Sequence, residues 1–101
     1  MRPLTTKVLS TRKKDAAEAL AIDALAWLAG EQDRLKRFLD LSGLAPSDVR
    51  RVAAEPGFLA AVLDHIASDE GLASAFVLAT GLNADDLSKA RAELGPPKRL
   101  A

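Results

Sequence analysis

The side chains in this 101-residue sequence that could do chemistry are few. His65 is the single histidine, and Asp69, four residues later, can share its face of a helix. A zinc site needs further nitrogen or sulfur ligands, and the sequence has no second histidine and no cysteine. We therefore predict that His65 packs, partly buried, at the edge of an apolar stripe, and that the protein holds no metal and no cofactor.

Paired carboxylates occur at 69–70 and 85–86, where two helices are predicted to begin. Acidic side chains in a first helical turn cap free N–H groups and favour the positive end of the helix dipole, which explains both pairs. No nucleophile pattern accompanies them, and neither GxGxxG nor GxxxxGK[ST] occurs. The sequence therefore predicts a protein that is not an enzyme.

Charge is unevenly distributed, although the formal net charge is zero. The first fourteen residues contain no acid and five bases, which are Arg2, Lys7, Arg12, Lys13 and Lys14. Basic residues at a helix start oppose the dipole, so we expect a basic tail over 1–11 that frays ahead of the first helix. So short a run is typical of a solvated terminus, and a nucleic-acid partner is not expected.

The absence of cysteine fits a reducing compartment, and we expect a cytoplasmic protein. The N-terminal residues lack the apolar stretch of an export signal. The longest apolar run, 19–29, is interrupted by Asp23 and is shorter than the roughly 20 residues of a membrane span, so no membrane is expected.

The apolar periodicity predicts helices and no strands. Alanine and leucine are abundant, and the predicted helices cover about 12–29, 31–42, 46–54, 56–67, 69–80 and 84–94. The expected fold is all-α, a compact six-helix bundle. It forms one domain over 12–95, with a C-terminal tail over 96–101.

An offset of 38 residues aligns the chain with itself. FLDLSGL at 38–44 recurs as FVLATGL at 76–82, and the match extends to about 17–55 and 55–93. We interpret this as two similar three-helix halves. The alternative is two helical segments that share the same start and stop signals.

Several residues have predicted structural roles. Gly43 and Gly81 follow helices where a left-handed residue closes the last turn. Pro46 and Pro56 suit the first position of a helix. The predicted core includes the large aromatic side chains on the apolar stripes, which are Trp27, Phe38, Phe58 and Phe76.

Four segments together resemble a known family: ALAIDALAWL at 19–28, FLDLSGL at 38–44, EPGFLAAVLD at 55–64 and GLNADDL at 81–87. The chain is similar to the DUF3572-like family of small all-α alphaproteobacterial proteins of unknown function. The resemblance implies a cytoplasmic helical protein and provides no catalytic residue. In that family an acidic residue is expected before the proline of the third helix; Ala45 stands there, so a weaker cap is expected.

Residues 38–52 can also be aligned with a helix-turn-helix, with Arg50 and Arg51 as DNA-contacting residues. That match is weak, because Asp48 and Glu55 offset these arginines, and Leu39 occupies a position that normally requires a small residue. An atypical DNA-binding protein with a basic arm is therefore the alternative function.

The fifth predicted helix is apolar on nearly every side. Such a helix is either the centre of a bundle or contacts another chain. We favour the central position, with Leu78 buried, and treat Leu78 as an interface residue otherwise. The preferred function is a noncatalytic interaction or adaptor module, with a protein partner or self-association.

Overall fold

The computed structural model describes residues 2–53 and 55–96, with side chains from residue 13 onward except at residue 56. Within these ranges the chain forms six α-helices and no strand, which confirms the all-α prediction. The helices are α1 (Arg2–Ala29), α2 (Gln32–Ser42), α3 (Val49–Val52), α4 (Pro56–Ala67), α5 (Glu70–Thr80) and α6 (Ala84–Leu94), with a 3-10 turn at Pro46–Asp48 before α3.

The centre of the bundle is α4. It packs against α1, α2, α5 and α6, and residues 57–60 together with Val62, Leu63 and Ile66 are buried. Phe58 is fully buried and meets the ring of Phe38 edge-on, with ring centroids 5.8 Å apart. The prediction that α5 is central is therefore wrong: α4, whose apolar residues also spread around the helix, takes that place.

Local signals at the helix ends are confirmed. Gly43 and Gly81 have φ of 75° and 77°, and each donates its N–H to a carbonyl of the preceding helix. Pro56 begins α4 and Pro46 begins the 3-10 turn, as predicted. The predicted helix start at 69–70 is confirmed, because the Asp69 side chain accepts the Leu72 N–H at 3.0 Å and caps α5.

Two helix boundaries differ from the prediction. The first helix begins at Arg2, so the backbone of the predicted tail over 1–11 is helical from residue 2. Pro3 lies in the first turn, where a missing N–H costs nothing, and no glycine follows until Gly30. The predicted third helix over 46–54 is only a 3-10 turn and one α-helical turn. Residue 54 lies outside the described residues, and so does the C-terminal tail from residue 97.

Two aromatic contacts are related by the offset of 38. Phe38 lies 5.1 Å from His65, and Phe76 lies 5.4 Å from Trp27, between ring centroids in both cases. Each phenylalanine thus packs on the first helix of the opposite predicted half. The third helices differ, with four residues in α3 and eleven in α6. The duplication stays a prediction.

Candidate interaction surface

Helix α5 begins and ends with strong local signals and has no charged residue after Glu70, its first residue. Asp69 caps its start and Gly81 closes its end. From Gly71 to Ala84 the sequence contains no Asp, Glu, Lys or Arg. The charges of this helix are therefore confined to its first turn and its N-cap, where they complement the positive end of the helix dipole.

The inner side of α5 is anchored by Phe76. This side chain is fully buried and makes an edge-on contact with Trp27, and its carbonyl accepts the Thr80 hydroxyl at 2.8 Å. An edge-on aromatic pair in a core adds about 0.5–1.5 kcal/mol beyond burial. The anchor fixes which side of α5 faces solvent.

The opposite side of α5 is exposed and is here called the α5 outer face, comprising Gly71, Ser74, Ala75 and Leu78. Leu78 is 84% exposed, more than any other large apolar side chain in the described residues. The expectation that Leu78 is buried in a central helix is thus wrong. The four positions follow the i, i+3, i+4, i+7 spacing of one helical stripe.

Leu41, on α2, provides a comparison. It is 69% exposed, but it follows Asp40, whose carboxylate pairs with Lys36 at 3.0 Å. A single exposed leucine on a charged helix is ordinary for a protein surface. What distinguishes the α5 outer face is an exposed leucine without neighbouring charge.

An open groove of about 630 Å³ runs between α1 and α6, close to the turn that follows α5. Its apolar lining includes Ala16, Leu20 and Leu82, and charged side chains such as Lys13 and Lys89 also border it. Lys89 donates a hydrogen bond to Asp85, which raises the pKa of the Lys89 ammonium. The groove therefore combines an apolar floor with a charged rim.

The first turn of α2 contains Arg34, whose contact with α1 was not predicted from the sequence. The Arg34 guanidinium lies 4.0 Å from the centroid of the Trp27 ring and donates to the Trp27 carbonyl at 2.9 Å. Glu31 pairs with it at 3.5 Å. Trp27 and Arg34 are seven residues apart in sequence and lie on either side of the break between α1 and α2. Because that spacing matches no known sequence pattern, only the fold reveals their contact.

His65 packs as predicted. It is partly buried beside Phe38, and burial lowers the pKa of its imidazole, with a smaller contribution from Arg37. Asp69 and Asp64 act in the opposite direction. Asp64 is also the partner of Arg91, which joins α4 to α6.

Of the paired carboxylates at 69–70 and 85–86, three have partners at or near the starts of α5 and α6. Asp86 accepts the Asn83 N–H at 3.1 Å while Asn83 accepts the Asp86 N–H at 2.8 Å, which completes a capping box. Asp69 caps α5, and Asp85 pairs with Lys89.

The arginines of the helix-turn-helix alternative lie on α3. Arg50 is exposed, and Arg51 pairs with Asp48 at 3.4 Å. They belong to a different element from Leu78, so the three residues singled out for interaction do not form one site on a shared helix.

Over 2–53 and 55–96, no cluster of three or more His, Asp or Glu side chains could hold a metal ion. None of the helices described there has the length and apolar character needed to span a membrane.

The described residues define an all-α protein of six helices in which α5 has an exposed apolar face. The chain belongs to the family described as protein of unknown function (DUF3572), whose model matches residues 14–97. No curated protein and no solved structure is matched.

Proposed function

We propose that this protein is a noncatalytic interaction module that acts in the cytoplasm and binds a protein partner through the α5 outer face. The observation that carries the proposal is the 84% exposure of Leu78 within a segment that has no charged residue. Removing such a side chain from water stabilises a complex by about 1.5–3 kcal/mol.

The surface chemistry favours an apolar partner. An uncharged stripe provides no attraction for phosphate or for a charged peptide, so the partner is expected to present apolar side chains. The α5 outer face runs along one helix of eleven residues, which is about 16 Å long. This length suits a partner that presents the apolar face of a single helix. The α5 outer face is too small for the roughly 800 Å² that a stable interface usually buries on each side.

The alternative, DNA binding by a helix-turn-helix, has less support. The helix that would read bases has four residues, Val49–Val52, and one of its two arginines is engaged by Asp48. A recognition helix normally lies along the major groove with several side chains directed at base edges.

The test is affinity capture from the native host with three forms of the full chain: wild type, Leu78→Asp and Leu41→Asp. Because both leucines are exposed, we expect both variants to keep the wild-type thermal melt. Leu78→Asp should lose a protein that wild type and Leu41→Asp retain.

The captured protein is then purified and mixed with the wild-type chain. Hydrogen exchange should slow at the amides of 70–80 on binding. Protection confined to another helix, or equal capture by Leu78→Asp, would reject the α5 outer face. A melt lowered by Leu78→Asp alone would show that Leu78 is structural.

A further inference from the structure

Helix α2 is attached to the bundle by few buried side chains. Of its eleven residues only Phe38 and Leu39 are buried, and five are charged. Helix α4, by contrast, buries seven of its residues between 57 and 66. Elements with few buried apolar contacts open locally at a lower free energy than the core does. Helix α2 is therefore an element that can leave the bundle before the rest unfolds.

The larger of the two buried side chains of α2 rests on a titratable ring. The Phe38 ring lies between two rings of α4, with centroids 5.8 Å from that of Phe58 and 5.1 Å from that of His65. The imidazole is partly buried beneath it. A proton on His65 therefore puts a positive charge directly at the contact between α2 and α4.

The groups that act on the imidazole are divided between the helices by the sign of their effect. Burial lowers the pKa of His65, and the Arg37 guanidinium on α2 lowers it further. The carboxylates of Asp69, which caps α5, and of Asp64, within α4, raise the pKa of the same imidazole. Arg91 of α6 reaches this place by pairing with Asp64. Helix α2 thus contributes the positive charge and part of the burial that disfavour a protonated imidazole, whereas α4 and α5 contribute the carboxylates that favour it.

We propose that α2 is a pH-controlled strap, which swings away from α4 when His65 takes up a proton while the rest of the bundle stays folded. Opening removes Phe38 and Arg37 from the imidazole. It leaves the imidazole beside Asp64 and Asp69, so the protonated ring is more stable in the open state than in the closed one. By linkage, a proton that binds the open state better shifts the population toward that state.

The first turn of α2 is the expected hinge. There the Arg34 guanidinium lies 4.0 Å from the centroid of the Trp27 ring and donates to the Trp27 carbonyl at 2.9 Å. Because an arginine stays protonated at every physiological pH, this contact between α2 and α1 is retained in acid. The open state then uncovers the side of α4 that holds Phe58, an apolar surface that α2 covers at neutral pH.

Hydrogen exchange of the full chain tests this directly, with each rate expressed as protection relative to the unfolded chain at the same pH. Protection of the amides of 35–42 should fall by about threefold or more between about pH 7.5 and 5.5. It should fall by more than protection of 58–66, because the carboxylates stay beside the imidazole in the open state but are dispersed in the unfolded chain. Low urea should scarcely change exchange in α2, since local opening exposes little surface, and should speed exchange in α4. The readout is the free chain, so it does not depend on a partner at the α5 outer face.

Three variants identify the groups responsible. His65→Gln should remove the extra pH dependence of α2, and Arg37→Gln should reduce it, because the closed state then tolerates the proton better. Lys36→Gln is the matched control: Lys36 is an exposed cation of the same helix that pairs with Asp40 at 3.0 Å, and its loss should leave the pH dependence unchanged. Circular dichroism at neutral pH checks that all variants remain helical.

Four results would each overturn the proposal. They are equal protection and equal urea dependence in α2 and α4, a fall in α2 that persists in His65→Gln, identical behaviour of Arg37→Gln and Lys36→Gln, and α2 protection that rises toward acid pH. The last would mean that a protonated His65 tightens the bundle through Asp64 and Asp69. If His65→Gln does not fold, the comparison of Arg37→Gln with Lys36→Gln decides alone.

Discussion

At the scale of the residue, Gly81 and Gly71 have opposite conformational requirements. Gly81 has φ of 77°, and a Cβ there would meet no heavy atom within 4 Å, so the cost of a side chain is purely conformational. Gly71 is helical, and its Cβ would meet only the Asp69 carboxylate at 3.5 Å.

We expect Gly81→Ala to lower the free energy of unfolding by about 1 kcal/mol, and Gly71→Ala to raise it by about 0.5–1 kcal/mol. Urea denaturation of both variants measures the difference. If the two alanines changed stability in the same direction, the left-handed conformation of Gly81 would be the wrong explanation.

His65 gives stability a pH dependence of predictable sign. Its pKa is lower in the folded protein than the unfolded value of about 6.5, chiefly because of burial and next because of Arg37. As pH falls, the unfolded chain therefore binds a proton before the folded one does. Stability is complete above pH 6.5 and decreases as the pH falls below it.

The measurement is the free energy of unfolding between about pH 7.5 and 5.5, above the ordinary range of carboxylates. His65→Gln should flatten the curve over that interval. A wild-type curve that rises toward acid pH, or an unaltered slope in His65→Gln, would contradict a buried neutral imidazole.

At the scale of the element, α3 and α6 show what one cap can do. Asn83 accepts the Asp86 N–H and begins a helix of eleven residues. Ala45 has the same extended conformation and its N–H is bound by Asp48, but its side chain has no acceptor. The segment for which the sequence predicts a weaker cap thus begins with a single 3-10 turn, which precedes the four residues of α3.

Ala45→Ser should raise the free energy of unfolding by about 0.5–1 kcal/mol, and Asn83→Ala should lower it by about 1 kcal/mol. Thermal or urea unfolding measures both. No gain from the serine would show that the proximity of Pro56, rather than the cap, limits α3.

The elements also show which predictions a sequence can support. The ends at Gly43, Gly81 and Pro56 were predictable because their causes lie within a few residues. The early start of α1 was not predictable in this way, because the unfavourable dipole was considered alone. No proline or glycine lies between Pro3 and Gly30, so no residue there breaks the helix. Helix starts depend on competing local terms of similar size.

At the scale of the whole molecule, composition sufficed for the all-α fold but not for its arrangement. Both α4 and α5 are rich in apolar residues, and no local pattern states which one the others surround. Phe58, Leu63 and Ile66 put α4 at the centre, which leaves Leu78 outside. From the sequence, Leu78 could be predicted only as either buried in a central helix or exposed at an interface, because its exposure depends on packing between distant segments.

The exchange of aromatic contacts between the two parts of the chain has a consequence for biosynthesis. Phe38 needs His65 and Phe58 to complete its surroundings, and Trp27 needs Phe76. When only the first fifty residues have emerged from the ribosome, the helices present lack the residues that complete the core. The nascent chain therefore closes late and cooperatively, after α4 and α5 emerge, and sequence-distant contacts of this kind slow folding relative to a bundle that closes helix by helix.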